Sequence, residues 1–156
     1  MQRVSATVVA VVGEDEAKRA ALRALRAATA GAPFVVQDAD PLGDVATAWV
    51  RRYDEQGPAG ELEVAVADTL ARFRAGALEL PDYYLVVGPE ALGETARHWY
   101  LGVLHAAAPA RVVPVPGATG AVEAVSGLAA GRWWPSTEEL LEGIDRVVPD
   151  RVGVTS

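Results

Sequence analysis

A chain of 156 residues with a formal net charge of −7 and no cysteine excludes several classes at once. It is long enough to bury roughly 70% of the surface its unfolded form exposes, so it needs no cross-links. Without thiols it has no disulfide framework, no thiolate metal site and no cysteine nucleophile, and its acidic balance argues against nucleic acid, whose phosphates demand a concentrated basic surface.

The first element is Val8-Val9-Ala10-Val11-Val12, an apolar run rich in β-branched residues and closed by Gly13. Such a run without alternation suits a strand covered on both faces, as in a parallel sheet. It is far short of the ~18 apolar residues of a membrane span, and a secretory leader needs a longer apolar region with a cleavage site. The expectation is therefore a cytoplasmic protein with no membrane segment. Glu14 to Ala30 reads as a helix that buries Leu22 and Leu25 and ends near Gly31. Arg19, Arg23 and Arg26 align on its opposite side, where a solvated face with Asp15 one turn before Arg19 explains them. Lys18 is the sole lysine among 14 basic residues, which reads as a coding bias toward arginine.

Phe34-Val35-Val36 is a second strand after Pro33. Asp44 is placed to cap a short helix that turns Val45, Trp49 and Tyr53 inward. Gln56-Gly57-Pro58-Ala59-Gly60 breaks the chain, and an amphipathic helix follows with Leu62, Val66, Leu70 and Phe73 on one face. Tyr83 to Val87 is the third strand. Glu90 to Ala108 reads as the longest helix, with Leu92, Ala96, Trp99 and Val103 as its buried stripe. Val112-Val113-Pro114-Val115 is a fourth strand, placed at a sheet edge because proline cannot donate to a ladder. A helix from about Ala121 to Ala129 follows. Ser136-Thr137-Glu138-Glu139 is then a capping box opening a last helix with Leu140, Leu141 and Ile144. Residues 1–150 form one α/β domain on this reading, and 151–156 a frayed tail.

Four strands separated by helices require right-handed crossovers. The expected fold is a three-layer α/β, doubly wound sheet of about four parallel strands in the order 2-1-3-4. In layout this resembles the flavodoxin-like and Rossmann-like folds, and the resemblance rests on the arrangement of elements, not on a sequence motif. Ligands of such sheets bind beyond the carboxyl ends of the strands, near the reversal of strand order.

Those ends are acidic. The first strand runs into Glu14, Asp15 and Glu16, the second into Asp38 and Asp40, the third into Gly88-Pro89-Glu90, and the fourth into Pro116-Gly117-Ala118-Thr119-Gly120. Consecutive acids repel a phosphate, and neither a Walker loop nor a G-x-G-x-x-G is present, which disfavours unassisted nucleotide or flavin binding at the first tip. One use of Glu14, Asp15, Asp38 and Asp40 is to hold Mg²⁺, with Glu14, Asp38 and Asp40 as the principal ligands, for phosphoryl transfer or hydrolysis. The other is electrostatic: acids in a first helical turn complement the macrodipole, and aspartates favour turns. His98 and His105 stand about 10.5 Å apart on one helix, too far to share a metal. Ser126 lies in a helix, outside any nucleophile elbow.

Arg132-Trp133-Trp134-Pro135 is the most distinctive segment, combining the residue types enriched at contact surfaces with a place ahead of a capping box. Thr119, between two glycines, has a hydroxyl to offer a ligand. The sequence favours a non-catalytic binding module for a protein partner, a second copy included, or a small ligand, with Arg132, Trp133, Trp134 and Thr119 in contact and no cofactor. The alternative is the Mg²⁺-dependent phosphotransferase or phosphohydrolase.

Overall fold

A computed structural model describes residues 7–54, 58, 60–128 and 137–142. The chain divides into two compact units, one built from its segments 1–40, 81–92 and 110–133, the other from 41–80, 93–109 and 134–156.

The first unit holds the sheet. Strands β1 (Thr7–Gly13), β2 (Phe34–Gln37), β3 (Tyr83–Val87) and β4 (Val112–Val115) pair entirely in parallel in the order β2-β1-β3-β4. This is the α/β class expected from alternating strands and helices, with the strand order that the resemblance to the flavodoxin-like layout implies. Helices α1 (Asp15–Ala28) and α6 (Ala118–Ser126) pack against each other and the sheet. The core between them takes alternate residues of the strands: Val9 and Val11 of β1, Tyr83, Leu85 and Val87 of β3, with Leu22 and Leu25 of α1 and Val125 of α6. Each such side chain contributes about 1.5–3 kcal/mol by leaving water. The intervening Ala10, Val12, Tyr84 and Val86 are buried as well, which is why β1 and β3 read as unbroken apolar runs. Pro114 sits on β4, whose one neighbour is β3, so its missing N–H costs the sheet nothing.

The helix boundaries follow local chemistry. Glu14 caps α1, its carboxylate accepting from the Glu16 N–H at 3.3 Å. Thr29 ends it, its hydroxyl donating to the Leu25 carbonyl at 2.7 Å. Helix α6 begins three residues earlier than the sequence suggests. Its start is set by Gly120, where a Cβ would lie 2.7 Å from the Pro116 ring. Glycine lets the helix begin directly beside that proline.

The second unit is helical: α2 (Gly43–Tyr53), α3 (Glu61–Arg74), α4 (Glu94–His98), a π-helical segment 99–104, α5 (His105–Ala107) and α7 (Thr137–Glu142). Asp44 lies inside the first turn of α2 and does not cap it; Leu42 occupies the cap position without a side-chain bond. The carboxylate is engaged by Arg72 instead, at 3.6 Å. At the other end of the pair Arg51 meets Glu61 at 2.8 Å and Arg52 meets Glu63 at 3.2 Å. Acid at the start and base at the end of each helix suit both macrodipoles, and the cross-pairing runs α2 and α3 antiparallel. Trp49 is fully buried between Tyr53 and Trp99, with ring centroids at 4.9 and 5.6 Å.

The long helix expected over 90–108 is broken. Gly88 in the left-handed region leads into a 3₁₀ turn, Pro89–Ala91, and the chain is extended at Leu92 before Gly93 restarts a helix. The buried stripe also shifts. It reads Thr95, Trp99 and Leu104, not Val103, because a π-helical turn brings residue i+5, not i+4, back to the same face. In the last helix Leu141 is buried, and Ser136, the expected cap, and Ile144 lie outside the described residues, as does the tail after Pro149. Among the described residues no helix is long and apolar enough to cross a membrane.

Candidate functional site at the carboxyl edge of the sheet

The strand ends that the sequence singles out all belong to the first unit, and three of them converge. Gly13 aligns with Val87 across the β1–β3 pair at φ +154°, so close that a Cβ would stand 2.6 Å from the Val87 carbonyl oxygen. Gly88, at φ +56°, donates its N–H to Val115 at 2.8 Å. A side chain on Gly88 would touch the Pro116 carbonyl oxygen at 3.8 Å and the Ala17 methyl at 4.0 Å. The end of β3 therefore lies between the first turn of α1 and the tip of β4, all backbone and small residues.

The acids around this edge are dispersed among separate partners. Glu14 is exposed and serves as the α1 cap, and Asp15 is exposed in the first turn. Asp38 forms an ion pair with Lys18 at 2.5 Å, although its side chain is 61% exposed. Asp40 accepts from the hydroxyl of fully buried Tyr84 at 2.7 Å. Glu90 is exposed in the 3₁₀ turn. Among the described residues no three histidine, aspartate or glutamate side chains are grouped so as to hold a metal ion.

At the β4 tip the chemistry differs. Helix α6 starts after Gly117 with no side-chain cap and no acid in its first turn. Its first backbone N–H groups have no intrahelical acceptor, as at every helix start. Thr119 is exposed within that turn, so its hydroxyl stands on the helix and not in a preceding loop. Arg132, Trp133 and Trp134 lie outside the described residues. His98 and His105 fall in α4 and α5 of the second unit.

Three arrangements escaped the reading of the sequence. One is the Lys18–Asp38 pair, which gives the only lysine of the chain a place beside the strand tips. Another is the Tyr84–Asp40 bond. The third, in the second unit, is an open groove of about 360 Å³ between α2 and α3, lined by Asp44, Thr47, Ala48, Arg51, Glu61 and Ala65. Its signal was present: positions 44, 47, 48 and 51 follow the spacing of one helix face.

No family model matches this chain, and comparison with curated proteins and with solved structures finds no match.

Proposed function

We propose that this chain is a cytoplasmic, non-catalytic binding module whose candidate contact residues are Thr119, at the β4–α6 tip, and, from the sequence, Arg132, Trp133 and Trp134. One observation carries the reading: the three acids expected as principal metal ligands are separately engaged, Glu14 in a helix cap, Asp38 in an ion pair with Lys18 and Asp40 in a hydrogen bond from Tyr84. Side chains spent in this way stabilise loops. They do not assemble the shared oxygen cage that a divalent cation and a phosphate substrate require. The tip free of acids is the one that begins α6 and carries an exposed hydroxyl.

The partner is another protein chain, a second copy included, because Trp and Arg together are the residues that anchor such contacts. Sedimentation velocity across a concentration series is the direct test. The wild-type chain should associate reversibly, and Trp134→Ala should abolish association while leaving the melting temperature within a few degrees. A melting temperature that collapses in Trp134→Ala would make this tryptophan a core residue and remove the main support for the reading.

The binding-module reading also makes a prediction that the metal-dependent alternative opposes. Millimolar Mg²⁺ or Mn²⁺ should leave the melting temperature of the wild-type chain unchanged, and phosphomonoester and phosphodiester substrates intact. Asp40→Asn keeps an oxygen to accept from Tyr84, so it should cost only about 1 kcal/mol or less, equally with and without metal. A metal-induced stabilisation that Asp40→Asn abolishes would overturn the binding-module reading.

A further inference from the structure

We draw no further inference here: the strongest candidate, the outward face of α3 around the exposed Val64 beside the groove between α2 and α3, is otherwise a stripe of alanines flanked by acids already paired within the hairpin, and nothing in the structure shows what covers it.

Discussion

Replacing Trp49 by alanine should destabilise the protein by about 3–5 kcal/mol, the range for emptying a fully buried large aromatic site. Trp49 has no exposed surface and touches two aromatic rings, Tyr53 one turn along α2 and Trp99 at the start of the π-helical segment. Alanine removes the indole without supplying atoms to fill its place, and the surrounding structure relaxes only in part into such a void. Against a total stability of about 5–15 kcal/mol that loss is large, and at this chain length each kcal/mol lowers the melting temperature by roughly 2–4 °C. Trp49→Phe should recover a good part of it by restoring a ring against Trp99. Val64→Ala, at a position 70% exposed on α3, supplies the control and should stay within about 0.5 kcal/mol. Urea unfolding of the three variants measures the series. A loss below about 1.5 kcal/mol in Trp49→Ala would mean that the site repacks, and that the aromatic cluster does not fix the α2 contact.

The same cluster includes Trp99, which opens a π-helical turn that helical periodicity does not predict. The four strands were legible because each is a compact apolar run bounded by glycine or proline; their parallel pairing followed from the need for crossovers, and their order only from resemblance to the flavodoxin-like layout. Pro114 located an edge by chemistry alone. The helix over 90–108 was not legible, because the stripe Leu92, Ala96, Trp99, Val103 assumes 3.6 residues per turn throughout. Gly93 and the π-helical turn both break that assumption, and the residue buried after Trp99 becomes Leu104.

Around the candidate site the division is similar. The strand tips could be placed by counting, so Glu14, Asp38, Asp40 and Thr119 were found at the carboxyl edge of the sheet. What each side chain binds could not. Lys18 and Asp38 are 20 positions apart and Asp40 and Tyr84 are 44 apart, joined only once β2, β1 and β3 lie side by side. Local spacing carries no trace of such pairs. Asp40 therefore read as a free carboxylate at a strand tip, whereas in the fold it satisfies a buried phenol, a bond whose loss leaves a polar group away from water. The indole pair at Trp133 and Trp134 is legible only as composition.

Gly13→Ala should be the most damaging small substitution in the sheet, costing about 3 kcal/mol or more from two independent sources. The first is conformational: φ of +154° is a region that L-residues seldom enter. The second is steric: the new methyl would sit 2.6 Å from the carbonyl oxygen of Val87, a backbone atom on the neighbouring central strand that cannot rotate away. Relief requires the ends of β1 and β3 to part, which pulls on the junction where Gly88 lies between Ala17 and Pro116. Gly76→Ala gives the reference for a positive φ without a clash, since Gly76 lies at φ +76° with no atom within 4 Å of its would-be Cβ. It should cost about 1 kcal/mol, the conformational part alone. Urea denaturation of both variants gives the comparison. Equal losses would mean that the contact with Val87 relaxes freely, and that the carboxyl edge of the sheet is looser than the packing of its glycines implies. A clearly larger loss at Gly13 is the expected result, because its φ is the less accessible of the two and its new methyl meets the Val87 carbonyl.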